Sequence, residues 1–114
     1  MATAAKTPGT GPNPVVVVVL TDPTTKTIKV IPDEFWVTKG DQEVMWVCKQ
    51  NHTHQGDCFH AHFDGGAPFK RVEFHKDMEF SGDQDGNAVP NKLYKYTVEI
   101  PGYKPLDPLG GVRQ

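Results

Sequence analysis

The residues best suited to chemistry fall in one stretch, residues 52–62, which reads HTHQGDCFHAH. It contains most of the histidines of the chain and one of its two cysteines. Imidazole and thiolate groups are ligands for zinc, copper and nickel, so a site with three or four ligands for one of these ions is stereochemically feasible. The candidate metal ligands are His52, His54, Cys58, His60 and His62.

The second half of this stretch reads as a β-strand over residues 58–64. Its alternation predicts that Phe59, Ala61 and Phe63 face the core, and that His60 and His62 point the other way together with Cys58. Two histidines two residues apart on a strand lie on one face, with Cα atoms about 7 Å apart. We therefore expect His60 and His62 to face outwards, where their imidazoles can converge on one ion.

The same residues also have an interpretation without a metal. Histidines that alternate with apolar residues are what any solvent-facing strand shows, and His52 and His54 lie among polar residues typical of a loop. The spacing of paired cysteines and histidines that defines structural zinc sites is absent from the sequence. A metal site and an ordinary polar surface both remain open at this stage.

The two cysteines, Cys48 and Cys58, allow at most one intramolecular bridge. Cys48 shares the predicted core face of Val44 and Trp46, where a free cysteine behaves as a small hydrophobic residue. The alternation of residues 58–64 directs Cys58 away from the core, which argues against a bridge between the two.

The bulk properties exclude several classes of function. The 114 residues form one domain, and 10 prolines and 11 glycines favour short strands joined by turns. A net charge of −2 with scattered lysines and arginines predicts no nucleic-acid partner. The longest apolar run, residues 15–20, is far shorter than the roughly 20 residues that cross a bilayer. No secretory signal is visible, so the default expectation is a cytoplasmic protein.

The chain divides into a polar leader or linker, residues 1–14, and a single domain, residues 15–114. Six to eight strands separated by turn signals predict an all-β fold, an antiparallel sandwich or barrel. The β-branched run of residues 15–20 is expected to be covered on both faces, or to take part in a homodimer through a sheet edge. The clearest strand is residues 93–100, with Tyr94, Tyr96, Val98 and Ile100 on its inner face.

The order of these elements resembles that of the cupredoxins, the plastocyanin-like sandwiches. The resemblance spans residues 27–100, and its best single feature is the turn at residues 39–41 (KGD) before the strand that holds Val44 and Trp46. A copper-carrying member has a histidine on the strand after the loop, and a cysteine, a histidine and usually a methionine after the penultimate strand. Here residues 101–111 have none of these, and Phe59 stands where the inward histidine belongs. The resemblance implies an all-β, antiparallel Greek-key sandwich without a blue-copper centre.

Two functions follow as expectations. The first is a non-catalytic cupredoxin-like domain that serves as a binding or interaction module. The second is a metal-binding protein for copper, zinc or nickel that uses the histidines of residues 52–62. Catalysis at that cluster is the least favoured, because no further catalytic constellation is visible.

Overall fold

The protein is described by a computed structural model over residues 13–49, 59–75 and 78–114. These residues form ten strands and no helix, which confirms the all-β prediction. The strands are β1 Val15–Asp22, β2 Thr27–Ile31, β3 Glu34–Thr38, β4 Val44–Lys49, β5 His60–His62, β6 Glu73–Phe74, β7 Glu79–Phe80, β8 Leu93–Lys95, β9 Thr97–Glu99 and β10 Leu109–Arg113. No helix that could cross a bilayer occurs in this part of the chain.

The strands form one four-stranded and two three-stranded sheets. Their orders are β2-β1-β4-β7, β3-β10-β8 and β6-β5-β9. Only Tyr96 separates β8 from β9, so the two smaller sheets share one continuous segment, residues 93–99. β9 therefore connects the sheet that contains the histidines to the rest of the molecule.

The expectation of purely antiparallel sheets is wrong. β1 runs parallel to β4, and β10 runs parallel to β3, while the other strand pairs are antiparallel. The physical reason is connectivity, since parallel neighbours need a crossover instead of a hairpin. Between β1 and β4 the chain forms β2 in the same sheet and β3 in another one, so that β4 returns to β1 by such a crossover.

A single core lies between the four-stranded sheet and the two smaller sheets. Its centre is aromatic: Trp46 stacks on Phe74 with ring centroids 4.4 Å apart, and meets Phe35 and Tyr96 edge-on at 6.1 and 5.9 Å. The inner face predicted for residues 93–100 is confirmed, because its four apolar side chains are at most 7% exposed. This core holds β5 and β9 in place from behind, which leaves their outer face available for a site.

The valine-rich strand β1 is covered on only one face. Val17 and Val19 are fully buried, whereas Val16 on the opposite face is 40% exposed. β1 is paired to β2 from Val18 to Asp22 and to β4 from Val15 to Leu20, so it is an inner strand of its sheet. The expected burial on both faces is wrong, and the homodimer through a sheet edge stays a prediction.

The predicted leader lies almost entirely outside the described residues, which begin at Asn13. The carbonyl oxygen of Asn13 accepts a hydrogen bond of 3.0 Å from the Gln42 side chain, and the Val15 amide donates to the Glu43 carbonyl oxygen. These bonds attach the start of the described domain to the segment before β4.

Candidate metal centre

The histidine-bearing strand β5 presents two different faces. Phe59, Ala61 and Phe63 are at most 3% exposed and belong to the core, whereas His60 and His62 lie on the opposite, partly exposed face. The two imidazole ring centroids are 4.8 Å apart. The face assignment made from the sequence is confirmed, although the hydrogen-bonded strand is shorter than predicted and starts at His60.

The neighbouring strands bring carboxylates to both histidines. β9 places Glu99 opposite His60, and β6 places Glu73 opposite His62. Each imidazole is bonded to the diagonal carboxylate: His60 Nε2 lies 3.0 Å from Glu73 Oε1, and His62 Nε2 lies 2.5 Å from Glu99 Oε2. Diagonal partners across a strand pair are within reach of long side chains. The register thus interleaves two imidazoles with two carboxylates.

His62 is the more enclosed of the two histidines, with a side chain that is 17% exposed. Its Nδ1 lies 2.8 Å from Asp64 Oδ2, so that both ring nitrogens face a carboxylate. Burial lowers the pKa of His62 and is the largest single influence, but hydrogen bonds to Asp64 and Glu99, with their negative charges, together raise it above 6.5. A positive charge is therefore favoured at this position.

His60, His62 and Glu99 form a set that can hold a metal ion. One ligand atom from each lies within 4.8 Å of the others. Two ligands of one ion are about 4 Å apart at most, because each bond is roughly 2.0–2.2 Å long. Glu99 is 48% exposed, so its side chain has room to adjust around an ion. Two nitrogens and one oxygen are a donor set that suits zinc, copper or nickel.

Asp64 has a separate part to play in this arrangement. While it accepts a hydrogen bond from Nδ1 of His62, the Nε2 atom of the same ring is directed at Glu99. Metal-bound histidines usually donate their second ring N–H to a carboxylate, which orients the ring and makes it a stronger ligand. Asp64 is placed to accept this N–H bond from Nδ1 of His62 when an ion is bound at Nε2 of the same ring.

The fifth histidine, His75, lies beside this cluster. It follows β6, and its ring centroid is 6.4 Å from that of His60. Its backbone N–H donates to the Glu79 side chain at 2.6 Å. His75 extends the imidazole-rich surface beyond the three convergent ligands.

Sequence reasoning missed Asp64, Glu73, His75 and Glu99 as neighbours of the histidines. The alternation of residues 93–100 was a usable signal for Glu99, because it puts this residue on the outer face. Which strand pairs with β5 was not readable, since that depends on the order of strands in the sheet. The contact between Glu73 and His60 was not predictable for the same reason.

Three predicted ligands, His52, His54 and Cys58, lie outside the described residues. Cys48 is disulfide-bonded, and the sequence contains one other cysteine. This disulfide contradicts the expectation, drawn from strand alternation, that Cys48 and Cys58 are not bridged. Cys58 itself lies outside the described residues.

Comparisons of the chain with protein-family models, with curated proteins and with solved structures found no match. The function proposed below is accordingly argued from the geometry of the site.

Proposed function

We propose that this protein binds a divalent transition-metal ion (zinc, copper or nickel) on the outer face of a cupredoxin-like Greek-key sandwich. The observation that carries the proposal is the convergence of His60, His62 and Glu99 within 4.8 Å. These three side chains come from two neighbouring strands backed by a rigid core, so their positions are set by strand pairing. The proposed site uses His60 and His62 of the predicted ligands and adds Glu99.

The charge around the histidines supports a cation. Three carboxylates, Asp64, Glu73 and Glu99, contact the two imidazoles. Their negative charge attracts a divalent ion, which displaces the proton that Asp64 and Glu99 stabilise on His62. Metal binding then releases protons, as expected for imidazole ligands.

The proposed ion would not sit in a blue-copper centre. Phe59, at the position where the cupredoxin resemblance expects the inward histidine, is 2% exposed in the core. Residues 101–114 contain no cysteine, histidine or methionine. Copper(II) at the outer site would have imidazole and carboxylate ligands without a thiolate, so we expect no intense visible absorption from a copper-loaded sample.

The alternative is an interaction domain that needs no metal. The observation in its favour is an apolar outer face on the four-stranded sheet, where Val16 is 40% and Ile31 is 48% exposed. Ile31 pairs with Val18, and Val16 pairs with Met45, so these side chains form neighbouring rows on that face. Contiguous exposed apolar surface marks interaction sites.

Zinc titration by calorimetry separates the two functions. We expect the untagged protein to bind one ion per chain with a Kd below about 1 μM, a typical threshold for a specific site. Glu99→Gln should weaken binding by about tenfold or more, because an amide oxygen carries no charge to offer the ion. Glu34→Gln makes the same change on the exposed end of β3, where the side chain accepts a hydrogen bond from Trp36.

The Glu34 variant is the matched control and should bind zinc like the wild type. Absence of saturable binding by the wild type would contradict the metal site and leave the interaction domain as the better account. Equal weakening by both variants would show that zinc responds to total charge instead of to this cluster.

A further inference from the structure

The proposed ion would be bound from one side only. His60, His62 and Glu99 all project from the outer face of the β5–β9 strand pair. Three protein ligands leave at least one position of a four-coordinate ion for water or another small ligand, the arrangement found in open metal sites. That position points away from the sheet, so a molecule that approaches along the outer face can reach it.

A cavity of about 340 Å³ begins next to these ligands on the same face. Asp64 and Thr97 line it: Asp64 is bonded to His62, and Thr97 is the residue opposite His62 on β9. Its other walls include Lys92 and Lys95. The volume lies at the lower end of the range for small-molecule sites.

The two lysines give the cavity its chemistry. Lys95 and Thr97 are on the same face and two residues apart, so their Cα atoms are about 7 Å apart. The Lys92 ammonium lies 5.0 Å from the centre of the Tyr94 ring, a cation–π contact that holds it beside the cavity. The Thr97 hydroxyl donates its hydrogen to Asp107 at 2.7 Å, so this hydrogen is already used. The donors that we assign to a ligand are therefore the ammonium groups of Lys92 and Lys95.

We propose that the metal site and this cavity together bind a small dicarboxylate, with one carboxylate on the ion and the other on Lys92 and Lys95. The inference rests on the proposed function, since it requires the ion at His60, His62 and Glu99. Lys95 lies two residues, about 7 Å along the chain, from Thr97, which is opposite the metal ligand His62, and this separation suits a ligand with two anionic ends joined by a short carbon chain.

Charge explains why such a ligand needs the metal. Without an ion, the carboxylates of Asp64, Glu73 and Glu99, and that of Asp107 beside Thr97, outnumber the ammonium groups of Lys92 and Lys95, so an anion is repelled. A divalent ion offsets this excess with its two positive charges and offers a coordination position to one carboxylate of the ligand. Binding of the dicarboxylate should therefore depend on metal loading.

Cobalt(II) provides the test, because its visible absorption reports on the ligands of the ion. Succinate should change the spectrum of the cobalt-loaded protein in a saturable way, and propionate, which lacks the second carboxylate, should bind about tenfold more weakly. The double variant Lys92→Gln/Lys95→Gln should bind cobalt normally and lose about tenfold in succinate affinity. Lys29→Gln/Lys39→Gln removes two lysines elsewhere and should match the wild type.

The outcomes separate this inference from the proposed function. If cobalt binds and succinate leaves its spectrum unchanged, or if succinate and propionate bind equally, the dicarboxylate site is wrong and the metal site stands. Succinate binding to metal-free protein is measured by calorimetry. If its affinity equals that of the cobalt-loaded protein, the inference is also overturned. If cobalt itself does not bind to the wild type, both proposals fail.

Discussion

At the scale of single residues, His62 has the most constrained environment of the cluster. Its two ring nitrogens face Asp64 and Glu99, and its ring lies against that of His60. The outward direction of His60 and His62 was predictable, because strand alternation needs only the local sequence. Their carboxylate partners were not, because Glu73 and Glu99 are 13 and 37 residues away along the chain.

The first prediction concerns the pKa of His62 in metal-free protein. Proton NMR titration should place it above 6.5 in the wild type, and Asp64→Asn should lower it. The physical reason is that burial, which lowers the pKa, remains in the variant while one of the two carboxylates that raise it is gone. Asp83→Asn, a substitution of the same kind in another turn, should leave the His62 pKa unchanged.

The same pKa makes a contribution to stability that depends on pH. Because the folded-state pKa of His62 is raised, its charged form stabilises the fold fully below pH 6.5, and this contribution disappears as the pH rises through the folded-state value. The difference in unfolding free energy between the metal-free wild type and His62→Gln should therefore be larger near pH 6 than near pH 8. A difference that stays constant or grows with pH would contradict this environment for His62.

At the scale of elements, strand pairing builds the site. β5 is three residues long and lies between β6 and β9, which supply the carboxylates. Residues 93–100 were predicted as one strand with the correct inner face, but the structure divides them at Tyr96, so β8 pairs with β10 and β9 pairs with β5. Periodicity predicts which face of a strand is buried. It does not predict the order of strands within a sheet, because that order depends on contacts between residues distant in sequence.

The second prediction concerns β10, which lies between β3 and β8 in their sheet and contains two adjacent glycines. A Cβ atom at Gly110 would overlap the ring of Phe35, which is 1% exposed in the core. Gly110→Ala should therefore lower the free energy of unfolding by about 1–3 kcal/mol, the usual effect of overpacking. Urea denaturation measures this change.

Gly86→Ala is the control, since a Cβ there meets nothing within 4 Å. Its effect should stay within about 0.5 kcal/mol, as for most surface changes. If both alanine variants were equally stable, the close packing of β10 against Phe35 would be incorrect.

At the scale of the whole molecule, one aromatic core supports two outer surfaces of different character. One is the apolar face of the four-stranded sheet, which includes Val16 and Ile31, and the other is the polar face that holds the histidines. The all-β class was predictable because short alternating runs and frequent turns extend through the sequence. The parallel pairs β1–β4 and β3–β10 were not, because they depend on how the chain crosses between sheets.

The third prediction concerns the disulfide at Cys48, at the end of β4. Cys48→Ser should lower the free energy of unfolding by roughly 2–4 kcal/mol, because a cross-link restricts the unfolded chain. Denaturation with and without dithiothreitol measures this. The reductant should destabilise the wild type and leave the variant unchanged, whereas an unchanged wild type would contradict the bridge.

The central claim is that an ion binds at the histidines of β5, and it is tested most directly by comparing two double variants. Elemental analysis and zinc titration would be performed on the untagged wild type, on His60→Ala/His62→Ala, and on His52→Ala/His54→Ala, which removes the same number of imidazoles from the adjacent segment. The account predicts one zinc per chain in the wild type and in the His52/His54 variant, and loss of binding in the His60/His62 variant. Undiminished zinc binding by the His60/His62 variant, or its loss only in the His52/His54 variant, would contradict the account.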